Sequence, residues 1–282
     1  MRSKLFVPGS RPELFDKALA GAADALSFDL EDAVPAAAKA DARAQVAAFV
    51  NSAALRDAKK LVIVRVNALA TPYFAADLTA VAVPGVDLIN LPKCEAADDV
   101  ITAANALDRL ESSARIRLLV NIETPRALRH AAQIAAAHPR VAGLQLGLGD
   151  LFEPFGIDRR EHANVHAAMF ALRMAAAEAD VFCCDGAFAA IEDEAGFVAE
   201  ARLAHRLGFV GKTCIHPRQV PLANAVFRLD DEEIAAARRI MDAGRAAAAR
   251  GVSTFVVDGR MIDPPYLRRA EAIVAAAARG QN

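Results

Sequence analysis

The sequence predicts an α/β chain folded as a closed (β/α)8, or TIM, barrel with a C-terminal helical extension. Two observations carry this. Short β-branched or aliphatic runs recur, each followed by a polar or Gly/Pro turn and then an alanine-rich stretch. Strands alternating with helices imply a parallel sheet. The runs number eight and spread over roughly 220 residues, the span of a closed barrel. An open doubly wound sheet is the competing architecture. It would carry a glycine-rich phosphate loop after its first strand, and FVPGSRPE is not a GxGxxG loop.

Taken in order, strands are expected over 4–8, 25–30, 61–67, 87–92, 116–122, 142–148, 181–185 and 211–215. Helices are expected between them over 12–21, 36–54, 98–110, 126–137, 162–177 and 194–207. Alanine, the best intrinsic helix former, fills these stretches. Beyond the eighth unit, 230–250 reads as a charged, alanine-rich helix, 252–258 as an extended segment and 265–279 as a last helix. The barrel is therefore assigned to 1–228 and the extension to 229–282. The extension is surplus to the barrel, so it must cover it or reach a neighbouring subunit.

The composition removes several classes of partner. The 282 residues are 55% hydrophobic, enough to bury a sizeable core. Charged residues make up 24% and the net charge is -2, so there is no basic field for nucleic acid. No run of apolar residues is long enough to span a membrane. The apolar run in MRSKLFVPGS is too short for a signal peptide. Cys94, Cys183, Cys184 and Cys214 show no CxxC spacing, which points to reduced, structural thiols in a cytoplasmic protein.

Barrel chemistry sits at the C-terminal ends of the strands. Those ends carry Asp29, Glu31, Asp32, Arg65, Asn67, Lys93, Glu123, Asp150, Asp185 and His216. Any strand meeting water can end in charge, but that accounts poorly for so many. Glu123 in NIET and Asp150 in GLGD leave neighbouring strands, which lie about 4.8 Å apart. Two carboxylates there can chelate one hard ion, Mg²⁺ or Mn²⁺ rather than zinc. Without a cation they would repel. Arg65 either pairs with Asp29, Glu31 or Asp32 or binds a substrate carboxylate. Lys93 is either an imine-forming lysine or a partner of a rim carboxylate. His162 and His166 are spaced as helical metal ligands but have no third ligand, so they read as a solvated face. His216 reads as structural.

Several segments resemble the citrate lyase β-subunit family, within the HpcH/HpaI aldolase superfamily of CoA-ester lyases. They are KLFVPGSRPE, SFDLEDAVP followed by Lys39 and Arg43, VRVNALATPYF, VDLINLPKCE, NIETPRAL, GLQLGLGDL, GFVGKTCIHPRQV and GRMIDPPYLRRA. They run in order from Lys4 to Ala270. The resemblance implies a Mg²⁺-dependent carbon–carbon lyase. Its substrate would be a 3-hydroxyacyl-CoA thioester such as malyl-, citramalyl- or citryl-CoA, cleaved to a 2-keto acid and acetyl-CoA. Glu123 and Asp150 match the metal ligands and Arg65 the carboxylate-binding arginine. Asp29 and Glu31 match a rim pair supporting the metal's waters. Arg11 and Lys17 match residues near the nucleotide end of CoA. Asp263 matches an acid that enters the adjacent subunit's site, which implies a homotrimer or a dimer of trimers. GLGD and NIET depart from the commoner family wordings GAED and IES, though the ligand-type residues stay. CIHP is closer to enzymes acting on free CoA esters than to the subunit that acts on a carrier-bound acyl group. Two alternatives remain: a thioesterase acting on the same esters, and a citrate lyase β subunit served by an acyl-carrier protein.

Overall fold

The computed structural model describes residues 1–280. The chain divides into two compact units, Met1–Phe227 and the segment from Arg228 onward.

The first unit is a closed barrel of eight parallel strands in sequence order. These are β1 (Ser3–Pro8), β2 (Ala25–Asp29), β3 (Leu61–Arg65), β4 (Leu88–Leu91), β5 (Arg117–Ile122), β6 (Val141–Leu146), β7 (Phe182–Asp185) and β8 (Gly211–Cys214). β1 closes the ring on β8, pairing Lys4 with Thr213. The helices of this unit are α1 (Phe15–Ala20), α2 (Lys39–Val50), α3 (Ala53–Asp57), α4 (Phe74–Val81), α5 (Ala97–Asp108), α6 (Pro125–Arg129), α7 (Ala131–Ala136), α8 (Leu148–Phe152), α9 (His162–Glu178), α10 (Glu194–Arg206) and α11 (Gln219–Val226). Side-chain caps start several of them. Thr124 accepts from the Ala127 N–H at 3.1 Å, with Pro125 in the first turn, and Asp193 accepts from the Gly196 N–H at 2.8 Å.

All eight expected strands form, with ends moved by a residue or two. One such move matters: β6 stops at Leu146, and the expected continuation to residue 148 instead turns into α8. Asp150 therefore stands on the first turn of a short helix, not on a strand end. The helix expected over 36–54 is a 3-10 turn, α2 and α3, because Ser52 takes extended backbone and caps a new helix through the Leu55 N–H. Helices α4, α8 and α11 were not expected. Their alanine, glycine and proline content hid the helical period.

Two apolar layers hold the barrel. Outward strand residues such as Leu5, Leu26, Phe28, Val62, Val64 and Leu118 pack against the helices. Inside the barrel, Ala25, Ile63, Leu88, Leu119 and Ala142 form a small separate plug. Strand residues two apart share a face. Above that plug the lumen therefore turns polar, with Ser27, Asn90 and Asn121 buried.

The second unit holds α12 (Asp231–Ala248), the antiparallel hairpin of β9 (Phe255–Val257) and β10 (Arg260–Ile262), and α13 (Pro264–Gly280). Asp230 caps α12 through the Glu232 N–H at 3.0 Å. Gly244 lets the helices approach closely, since a Cβ there would lie 2.9 Å from Leu267 Cδ1. The extended segment expected over 252–258 is the first half of this hairpin.

Candidate active site

Glu123 follows β5 directly and is buried. Its Oε1 accepts the Lys93 backbone N–H at 2.7 Å and its Oε2 accepts from Asn121 Nδ2 at 3.1 Å. Lys93 has a φ of 55°, in the left-handed region. That conformation costs a side-chain-bearing residue about 1 kcal/mol or more, and here it aims an N–H at the carboxylate. Gly147 backs Glu123 from the other side, where a Cβ would meet Glu123 Cβ at 2.5 Å and Oε2 at 2.9 Å. Gly149 has open space around it and no such role.

Asp150 is half-exposed at the mouth of the same cavity. The Lys93 ammonium bonds to Asp150 and lies 3.7 Å from Glu123 Oε1. The lysine is thus the rim-carboxylate partner, and it occupies the place of a cation between the two carboxylates. Burial pushes the Glu123 carboxyl up, Asp150 adds to the rise, and Lys93 opposes it. Among the described residues no three His, Cys, Asp or Glu side chains cluster as a metal cage. The protein offers two hard carboxylates and leaves the other positions to water or substrate. This suits Mg²⁺, which keeps several waters and takes one or two carboxylates. The residues fit the ion.

Arg65 ends β3. It is clamped by Asp29 through two bonds of 2.7 Å, Nε to Oδ1 and Nη2 to Oδ2. Nη1 reaches Asp32 Oδ2 at 3.3 Å and lies 2.9 Å from Glu31 Oε2 without hydrogen-bond alignment. Asp29 uses only two of the five guanidinium donors, and Arg65 still lines the cavity. Burial opposes the ionised forms of both residues, yet the clamp outweighs it: Asp29 is held below its ordinary range and Arg65 above. Burial pushes the Glu31 carboxyl up to about 8, with Asp32 and Glu123 adding to the rise and Arg65 opposing it. The structure thus uses Asp29 to hold Arg65.

The cavity has a volume of about 190 Å³ and is lined by Phe6, Arg65, Asn121, Glu123, Gln145, the 146–150 turn, Arg159, Ala187, Ala189 and Ile215. A larger cavity of about 470 Å³ lies against α9 and α10 and holds none of the rim carboxylates. The smaller one carries the chemistry, because charge converges there.

Other expected residues fall elsewhere. Asp185 points out of the barrel and is fully buried against Lys212 at 2.6 Å. Burial pushes its carboxyl up to about 6 against the pull of Lys212. Lys212 also bonds Glu200 at 2.6 Å, and Arg159 grips Glu200 and the Ala187 carbonyl. This outer network ties the loop after β7 to α10. Asn67 bonds Asp77 and the Leu30 carbonyl, a structural role. His216 Nδ1 accepts the Arg218 N–H at 3.3 Å, also local. Arg11 pairs with Glu13, and Lys17 is exposed on α1. Asp263 lies in the second unit, and its Oδ1 is buried without a partner.

Sequence reasoning missed Phe6, Asn90, Asn121, Gln145, Arg159 and above all Lys4. Lys4 is fully buried inside the barrel, and its Nζ donates to Gln145 Oε1 at 2.5 Å and to Asn90 Oδ1 at 3.3 Å. The missed signal was a polar residue recurring at the inward phase of otherwise apolar strands, as in LINL, LLVNI and GLQL.

Comparison with known proteins accords with this geometry. The chain is 36% identical, over 97% of its length and 93% of the relative's, to the L-malyl-CoA/beta-methylmalyl-CoA lyase of Cereibacter sphaeroides (strain ATCC 17025 / ATH 2.4.3). It is 34% identical to citrate lyase subunit beta of Escherichia coli (strain K12), over 98% of this chain and 93% of that one. Its fold matches protein CitE of Mycobacterium tuberculosis, in complex with magnesium, acetoacetate and coenzyme A. The TM-score is 0.71 and the identity 34%, covering 99% of this chain and 100% of that one. With a family profile matching residues 2–217 as well, the chain belongs to the HpcH/HpaI aldolase/citrate lyase family.

Proposed function

We propose that this family member is a Mg²⁺-dependent carbon–carbon lyase that cleaves a 3-hydroxyacyl-CoA thioester of the malyl or citryl type into a 2-keto acid and acetyl-CoA. The observation that carries the site assignment is the cavity flanked by Glu123 and Asp150, with a cation already between them. Glu123 and Asp150 would hold the ion, which when bound supplies Lewis-acid polarisation of a substrate oxygen.

The chain's own residues do the rest. Arg65, kept rigid by Asp29, turns its remaining N–H groups to the carboxylate of the acid half and to the oxygen on which charge grows. As the bond between the carbinol carbon and the acetyl carbon breaks, the hydroxyl proton passes to solvent water, the C–O bond becomes a keto group and the electron pair moves into a thioester enolate. Asp263, entering from a neighbouring subunit, protonates that enolate carbon, or removes its proton in condensation. Its unpartnered oxygen supports this. The assignment requires an oligomer, a homotrimer or a dimer of trimers. Arg11 and Lys17, which follow β1, are assigned to the nucleotide end of CoA on the family resemblance. The four buried, unpaired cysteines favour a reducing, cytoplasmic setting. Among the described residues no helix is long and apolar enough to cross a membrane.

The test is a screen of malyl-, citramalyl-, citryl- and methylmalyl-CoA with Mg²⁺, with the products identified by mass spectrometry. A keto acid plus acetyl-CoA is expected, with propionyl-CoA in place of acetyl-CoA from the methylmalyl ester. A hydroxy acid plus free CoA would mean thioester hydrolysis. Inactivity on every free ester, relieved by an acylated carrier protein, would mean a carrier-bound substrate.

A further inference from the structure

The lumen holds a cation that this chemistry does not use. Lys4 is fully buried and bonded only to amides, and the Phe6 ring lies 3.9 Å from its Nζ. Among the described residues no carboxylate pairs with it.

Below about pH 7 Lys4 is an ammonium, which only donates. Whatever faces it must turn an acceptor towards it, so Gln145 presents its carbonyl oxygen to Lys4 at 2.5 Å. The sense of a carboxamide is often ambiguous. Here the donor-only neighbour forces it. Asn90 likewise gives Lys4 its Oδ1, which leaves its Nδ2 to donate to Asn121 Oδ1 at 2.8 Å. Asn121 Nδ2 then donates to Glu123 Oε2. Both amide chains run one way, with donors towards the rim.

Gln145 also lines the cavity that holds Arg65, Glu123 and Asp150. Its Nε2 has no protein acceptor among the described residues. A free N–H₂ group at the cavity wall, backed by an unneutralised cation, is a receptor for an anionic oxygen. Arg65 does not fill this role, because Asp29 takes two of its donors and the rest go, on the lyase reading, to the first carboxylate and the reacting oxygen.

We infer that Gln145 is a specificity-determining residue that receives a second carboxylate on the keto-acid half of the substrate, and that Lys4 is the residue that positions it. This rests on the lyase reading above and narrows it to 2-keto diacids over 2-keto monoacids. A methyl group at that place would leave Nε2 unpaired in a largely buried site, a mismatch that polar sites reject strongly.

The experiment measures, at about pH 6.5 where Lys4 keeps its proton, initial rates of Mg²⁺-dependent condensation of acetyl-CoA with oxaloacetate or with pyruvate. The wild type should favour oxaloacetate. In Gln145→Met the KM for oxaloacetate should rise at least about tenfold, while that for pyruvate stays within about twofold. Lys4→Met should do the same without touching the ligand, and the double variant should be no worse than Gln145→Met alone. Gln145→Glu should fold on an ion pair with Lys4, but presents acceptors only and should lose oxaloacetate selectively. A Lys4→Met variant that leaves the oxaloacetate-to-pyruvate ratio unchanged, or raises both KM values equally, overturns the inference. So does a Gln145→Glu variant that keeps oxaloacetate, or a wild type without the preference. A wild type that condenses neither keto acid overturns the lyase reading itself, and this inference with it.

Discussion

At the residue scale the site is a contest between carboxylates and cations, settled by distance. Glu123 and Asp150 could be singled out in the sequence because NIET and GLGD follow neighbouring strands, although Asp150 sits on the first turn of α8 rather than on a strand end. What the sequence left open was the use of each positive charge. Lys93 spans the two carboxylates and Arg65 is forked onto Asp29, so neither reads as a free reactive group. Glu123→Gln and Asp150→Asn should each abolish Mg²⁺ binding in calorimetry. Unchanged affinity in both would remove the metal assignment. Arg65→Lys should lower kcat/KM about a hundredfold, near 2.7 kcal/mol, because a lysine cannot keep both the Asp29 fork and a substrate contact. A loss within about twofold, worth only ~0.4 kcal/mol, would mean that Arg65 serves Asp29 alone.

At the element scale each strand has two faces and two partners. The outward face of β7 and β8 carries Asp185 and Lys212, locked with Glu200 of α10. Removing one partner of a buried pair strands the others, so Lys212→Met should cost about 3–5 kcal/mol in urea unfolding. A loss under about 1 kcal/mol would show that the network is better solvated than its burial implies. The inward face of β1 carries Lys4, whose pKa falls from 10.5 to about 7. Burial is the main cause, and Arg65 adds to it against the opposing pull of Cys184, Asp29 and Glu123. Between those two pH values the unfolded chain holds the proton and the folded chain has released it. Wild-type stability should therefore rise with pH across this window relative to Lys4→Met, by up to about 5 kcal/mol for the full shift. Paired urea titrations at pH 7 and pH 10 check this, and a flat difference would mean that the lysine is hydrated. None of this was legible in KLFVP, since a lysine opening a strand reads as a surface residue until the barrel closes over it.

At the scale of the whole molecule the question is what the second unit is for. Asp263 is the residue there proposed to have a chemical role, in another subunit's site. Light scattering should then report a trimer or a multiple of it. Asp263→Asn and Glu123→Gln should each be inactive alone. Unfolded together and refolded as mixed oligomers, they should regain part of the wild-type rate, because some sites would combine an intact Glu123 with an intact Asp263 from the next chain. If the mixture stays inactive while both variants assemble, Asp263 acts within its own chain or not at all.

The order of elements, the closed barrel and the carboxylates at its mouth were determined by the sequence itself, because strand runs and their terminal charges are local and regularly spaced. Tertiary structure alone decided which face of each strand a polar residue occupies. It decided that Asp150 rides on a helical turn, that Asp29 belongs to Arg65, and that Lys4, Asn90, Asn121 and Gln145 meet across the lumen. These contacts join residues up to 141 positions apart. Their sense depends on a donor-only ammonium enclosed by the barrel, and no local pattern in the chain encodes that enclosure.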